Sequence, residues 1–263
     1  MKKLVIAAIL AFVSLSVSAQ TNNWERRVFE GSMILAQRNL SEEGKAFVKS
    51  FLGQSFYEDV QFLYNLEKKK QAKHSTDIHF LYLDKELRPM QLEGESLIST
   101  IEKNMAIVKD REGRERKEVV HALRTIINLM CDIHNLANVR IENIPHSQKD
   151  YSFVCYGGDI GKRKTTSKVK YSRLWYSYPA WHSGFSGALW AEDGEVCLGA
   201  NRAELSAGTL QDWVLQIGMR AAKMYRKITP EYVMTRRERN ELEMINYEMM
   251  ARAGYRLAAL LND

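Results

Sequence analysis

The sequence predicts an all-α fold, a single helical domain with a loop-rich segment around residues 145–205. Three observations predict it. Apolar residues recur at helical spacing through most of the 263 residues. Only four prolines interrupt the chain. Ser, Thr and Pro stand where helices would start. No internal repeat or linker divides the chain, and residues 20–263 have a normal length for one domain.

The elements follow in order. Residues 1–19 read as a signal peptide, with Lys2 and Lys3 ahead of an apolar run from Leu4 to Val13 and small or β-branched residues at Val17-Ser18-Ala19. That run is shorter than the ~20 apolar residues a membrane-spanning helix needs, and no other stretch is apolar enough. The mature protein is expected to begin at Gln20 and to be periplasmic or secreted. Residues 24–38 predict a first helix that ends before Asn39. Ser41 then reads as an N-cap, with Glu42 and Glu43 in the first turn of a second helix. Val60, Leu63 and Tyr64 carry an apolar face into a third, which ends in Lys68-Lys69-Lys70. The spacing predicts further helices over about 92–109 and 117–137. Between Pro145 and Ala200 the chain is rich in Gly, Tyr, Trp, Lys and Ser, which predicts loops and a short hairpin. Helices resume after Thr209, whose partner in a capping box is Asp212. The last is expected to start at Thr229-Pro230-Glu231, with Leu242, Ile245, Met249, Ala253, Leu257 and Leu260 on one face.

The formal charge is +6, and +4 without Lys2 and Lys3. This suits an acidic partner without requiring one. Three cysteines leave room for one disulfide in an oxidising compartment. Cys155 and Cys197 lie in loop-like sequence and are the expected pair, although spacing does not fix connectivity. Cys131 lies in a helical pattern and reads as a small buried hydrophobe. Lys162-Arg163-Lys164, Lys168, Lys170 and Arg173 interleave with Tyr171, Trp175, Tyr176, Tyr178 and Trp181. Single-stranded nucleic acid is bound by such mixtures, through charge on phosphate and rings on bases, and Lys170, Arg173 and Trp175 are the candidates. A solvated lysine loop beside a packed aromatic cluster has the same pattern.

The end of the chain carries a resemblance. Thr229-Pro230-Glu231-Tyr232 and then Ala251-Arg252-Ala253-Gly254-Tyr255-Arg256-Leu257-Ala258-Ala259-Leu260-Leu261-Asn262 resemble the closing helix of the S-one/P-one nucleases, zinc-dependent enzymes of the phospholipase C type. Four other segments match in the same order. Leu40-Ser41-Glu42-Glu43 with Gly53 resembles "LSPEA…LLG", and Asp59-Val60 resembles the opening of "DVATWAD". Ala122-Leu123 to Val139 resembles "ALKFLVHFVGDIHQPLHV", and Trp181-His182-Ser183-Gly184 resembles "WDSG". The resemblance implies an all-α fold with a cleft for three zinc ions that activate water against phosphodiesters and 3′-nucleotides.

The family's ligand positions are largely replaced. Its N-terminal Trp ligates zinc through a free amino group; Trp24 matches in identity, but Gln20 to Asn23 precede it. The next His is Phe29, the Asp of "WAD" is Asn65, and the nearby catalytic Arg position is Lys68. His79 is kept. The acidic residue that activates water aligns with Tyr82, and Asp84 substitutes only if the loop is two residues longer. The His and Asp of the central helix are Asn128 and Asp132, the next His is Asn138, and the final His–Asp pair is Tyr178 and His182. His134, two residues beyond Asp132, is expected on another face, at the surface or behind the ligand-bearing residues. His74 and His121 are isolated. Asn offers zinc only a neutral carbonyl oxygen, so a three-zinc cluster is not expected. The retained set, Asp132 with His79 and His182, predicts at most one zinc. The other reading of the asparagines is that they hydrogen-bond in a filled, metal-free cleft.

Three functions follow from the sequence. The first is an exported, catalytically impaired nuclease-like protein that still binds nucleotides or single-stranded oligonucleotides. The second is a working phosphodiesterase with a reduced metal site. The third is a structural or protein-interaction module.

Overall fold

The computed structural model describes residues 23–53, 56, 76–90, 93–160, 163–176 and 186–262. Helix α1 (Asn23–Asn39) and helix α2 (Glu42–Leu52) form as the sequence predicts, with the Ser41 side chain accepting from the Gly44 N–H and Gly53 closing α2 at φ 78°. The third expected helix, with Asn65 and Lys68, lies outside the described residues. A 3₁₀ turn (Thr76–His79) leads into strand β1 (Leu81–Leu83). Helix α3 (Leu97–Lys109) starts five residues later than expected, because Gly94 at φ 97° turns the chain and Ser96 with Ser99 forms the capping box. Helix α4 (Arg116–His134) ends three residues early at Asn135, whose side chain caps the following 3₁₀ turn (Leu136–Asn138) before strand β2 (Val139–Ile141). Strands β1 and β2 pair in parallel, Leu81 with Val139 and Leu83 with Ile141.

The segment expected to be loop-rich holds more regular structure than its composition suggests. Strands β3 (Ser152–Ile160) and β4 (Arg163–Lys170) form a long antiparallel hairpin, with a bulge between Tyr156 and Gly158. A short helix α5 (Tyr171–Tyr176) follows. Helix α6 (Gly187–Leu198) is capped by Ser186 and buries Gly187, Trp190, Ala191 and Gly194. Its glycines oppose helix locally, yet they let it approach α1, and tertiary contact outweighs propensity. Helix α7 (Arg202–Ser206) precedes helix α8 (Leu210–Lys227), whose Thr209–Asp212 capping box is the one expected.

The last helix corrects the sequence reading. Residues 229–235 turn and supply strand β5 (Val233–Met234), which pairs in parallel with β3. Helix α9 (Arg236–Asn262) begins seven residues after Thr229. Its start is fixed by Thr235, which donates its N–H to Glu238 at 3.0 Å and accepts the Glu238 N–H at 3.3 Å, a second Thr-x-x-Glu box. Helix α9 packs against α1, α4, α6 and α7. The main core gathers α3, α4, α8, α9 and both small sheets; a second cluster of Leu35, Trp190, Ala191, Leu205, Tyr247, Met250, Ala251 and Tyr255 joins α1, α6, α7 and α9. The protein is thus mostly helical with two small sheets. No helix among the described residues is long and apolar enough to cross a membrane.

Candidate functional site

The parallel pairing of β1 and β2 brings together the residues that precede each strand. His79 ends the 3₁₀ turn before β1, and Asn138 ends the one before β2, beside the last turn of α4 where Asp132 sits. His79 Nδ1 lies 2.7 Å from Asp132 Oδ2, and the Asn138 amide donates to Asp132 Oδ1 at 3.3 Å. The same amide reaches the Asp132 carbonyl at 3.4 Å. The His79 and Asp132 side chains keep 20% and 24% of their surface exposed, so the pair is open to solvent, while Asn138 is buried behind it. A carboxylate oxygen can only accept, so the proton of the His79–Asp132 bond belongs to Nδ1.

Three positions named by the resemblance therefore converge on one spot. Asn128 stands half-buried one turn before Asp132 on α4. Phe29 is half-buried on α1 and packs against the main core. Trp24 falls in the first turn of α1. Tyr178 and His182 lie outside the described residues, as does the mature terminus expected at Gln20.

The donor geometry does not suit the zinc that the resemblance implies. Two ligands of one tetrahedral zinc, bound at about 2.0–2.1 Å, stand roughly 3.3 Å apart. His79 Nδ1 and Asp132 Oδ2 are at hydrogen-bond distance instead, so these two atoms do not fit around a shared ion. Among the described residues no group of three or more His, Cys, Asp or Glu is placed to hold a metal. Asp84 is also committed elsewhere. Its Oδ1 accepts from the N–H groups of Glu86 and Arg88 at 2.9 and 2.8 Å, and its Oδ2 from Arg88 Nε at 3.0 Å. Those bonds, the Arg88 backbone first, hold its pKa below the usual carboxylate value, and they tie Asp84 to its own turn. Tyr82 therefore stays without an acidic stand-in from that loop.

Other sequence expectations change. The Cys155–Cys197 disulfide is not formed: Cys155 is buried on β3 and Cys197 is exposed on α6. Burial pushes the Cys155 thiol up to about 11, and burial followed by the Asp132 charge raises Cys131 well above its ordinary value. Both thiols are poor nucleophiles at neutral pH. Trp175 is buried in the main core and stacks edge-on with Tyr171 at 5.9 Å, so it offers no face to a base. Lys170 and Arg173 remain exposed at the β4–α5 corner, Lys170 with Asp150 at 3.7 Å. His134 is not at the surface. It is buried, with Nδ1 2.7 Å from the Met130 carbonyl and Nε2 3.1 Å from Arg256.

Sequence reasoning passed over Arg140, which lies opposite Tyr82 in the β1–β2 register. It is buried, donates to the Ala137 and Val139 carbonyls at 2.7 and 3.2 Å, and places its guanidinium 4.2 Å over the Phe80 ring. A lone cation between Val139 and Ile141, in a stretch where apolar and polar residues alternate, was the available signal. It braces the turn that presents Asn138. No protein-family model matches the chain, and a search of curated proteins finds no match.

Proposed function

We propose that this protein is an exported, nuclease-like protein that binds nucleotides or short single-stranded oligonucleotides without zinc-dependent cleavage. The observation that carries the reading is the His79–Asp132–Asn138 cluster, in which each carboxylate oxygen accepts one internal hydrogen bond. The asparagine at a position where the family keeps a metal-binding histidine becomes a donor to Asp132 and helps fill the cleft. In this arrangement Asp132 positions the imidazole. The His79 imidazole, held through Nδ1 and partly exposed, is within reach of a bound ligand. The exposed Lys170 and Arg173 add phosphate attraction of the unspecific, salt-sensitive kind.

The test has two parts. Protein exported by its own signal is incubated with single-stranded DNA and RNA, with added zinc and with chelator. No release of nucleotides above background is expected in either. Turnover that vanishes with chelator, returns with zinc and is lost in Asp132→Ala overturns the proposal. Fluorescence anisotropy with a labelled oligonucleotide is expected to show binding that weakens with salt and falls about 3–10-fold in a Lys170→Gln/Arg173→Gln variant. Failure to bind at low salt also overturns it and favours the interaction-module reading.

A further inference from the structure

Helices α8 and α9 enclose a groove of about 290 Å³ that no function considered so far uses. Its walls carry Arg220 and Lys223 from α8 and Arg252 and Arg256 from α9, with Glu248 the one carboxylate among the described lining residues. Glu248 is already shared, accepting from Arg252 Nε at 3.0 Å and from Arg220. Gln216 accepts from Arg252 at 3.1 Å and from Arg256. Arg256 is fully buried. It also donates to the Leu205 carbonyl at 3.0 Å, meets His134 Nε2 at 3.1 Å and lies 5.2 Å from the Trp213 ring. Its direct hydrogen-bond partners among the described residues are all uncharged.

Packing explains Arg256 alone, because it ties α9 to α4, α7 and α8. It does not explain why Arg220, Lys223 and Arg252 surround the same space with a single carboxylate between them. Arg252 and Arg256 stand four residues apart on one helix, where like charges repel. Burial, and then the Arg252 charge, lower the Arg256 pKa. Arg220, Arg252 and Arg256 are nevertheless held in place, by Glu248 and Gln216, before any ligand arrives. Guanidinium forks fixed in this way match the geometry of phosphate oxygens, and preorganisation reduces the ordering lost on binding. Ile217, Met219 and Met249 supply an apolar side to the groove. Its volume exceeds what one phosphate fills and lies just below the usual range of small-ligand sites.

We propose that the α8–α9 groove binds a phosphate dianion, free or as the terminal group of a small monoester, with Arg220 and Lys223 at its mouth. His79, Asp132 and Asn138 take no part, so the proposal does not rest on the nuclease-like reading. The full chain is titrated with inorganic phosphate and, separately, with ribose 5-phosphate, following heat and melting temperature against chloride at matched ionic strength. A saturable response to either probe, beyond that of chloride, is expected. Lys223→Gln, a change at an exposed position, is expected to weaken it at least tenfold with the unliganded melting temperature unchanged. Arg220→Gln should act in the same direction, and His79→Ala should leave the affinity as it was. A response no larger than that of chloride overturns the proposal, as does affinity that survives Lys223→Gln and disappears in His79→Ala.

Discussion

At the scale of single residues, the same short stretch of α4 serves two different environments. Asp132 turns toward His79 and stays partly exposed, and His134, two residues on, turns into the protein against Arg256. The sequence singles out His79, Asp132 and Asn138 together, and the structure shows that their side chains meet. The place of His134 was not legible there, since its burial depends on α9 arriving from more than a hundred residues away. Its titration is a consequence. Burial first, and the Arg256 charge second, hold the His134 pKa well below the ordinary imidazole value, opposed by its bond to the Met130 carbonyl; Arg252 adds to the lowering. The unfolded chain takes up a proton near pH ~6.5 that the folded chain refuses. Stability from this group is therefore complete above that pH and is lost as pH falls below it, by at most ~1.4 kcal/mol per unit. Urea midpoints at pH 7.5 and 5.5 check the sign. His134→Asn, which keeps a donor for Met130, should be less stable at pH 7.5 yet lose less on acidification. An unchanged slope in that variant means that other groups carry the acid sensitivity.

At the scale of elements, helix existence followed from apolar spacing while helix boundaries followed from contacts. Ser41 and Thr209 marked true starts because their caps are local. Thr229-Pro230 did not, because the chain after it turns into β5, whose Val233 and Met234 pair with β3, and Thr235 offered an equally good box. Helix α6 was missed because its glycines matter only against α1 and α9. The same logic separates two glycines. An added Cβ at Gly254 on α9 would stand 2.6 Å from the Ser32 carbonyl and 2.7 Å from Leu35 Cβ on α1. At Gly194 it would meet only the Met250 methyl, at 3.0 Å, and Leu35 Cδ1, at 3.7 Å. Alanine gains about 1 kcal/mol of helix propensity in both cases. Overpacking against a backbone carbonyl costs about 1–3 kcal/mol, so Gly254→Ala should lower the melting temperature by several degrees. Gly194→Ala, which displaces a flexible side-chain end, should be neutral or slightly stabilising. Equal effects by calorimetry would show that α1 and α9 are not packed this closely.

At the scale of the whole molecule, the question is whether the chain can ever assemble a metal centre, and its amino terminus decides part of it. The resemblance implies that a free amino group on the first tryptophan belongs to the zinc set. In this protein Trp24 is the second residue of α1. If processing follows Val17-Ser18-Ala19, Gln20 to Asn23 remain ahead of it and its nitrogen is an amide, with no lone pair to give. The replaced positions and the amide then point the same way: Phe29 packs on the core, Asn138 donates to Asp132, and Asp84 is tied to its own turn. The prediction is that protein exported by its native signal begins at Gln20. Intact mass together with amino-terminal sequencing reads this directly, with pyroglutamate at Gln20 counted as the same cleavage. A mature form that begins at Trp24 would restore the free amine that the resemblance asks of it. Together with zinc retained after dialysis, that result would contradict the metal-free reading at its root, because the terminus would then supply the donor that an amide cannot.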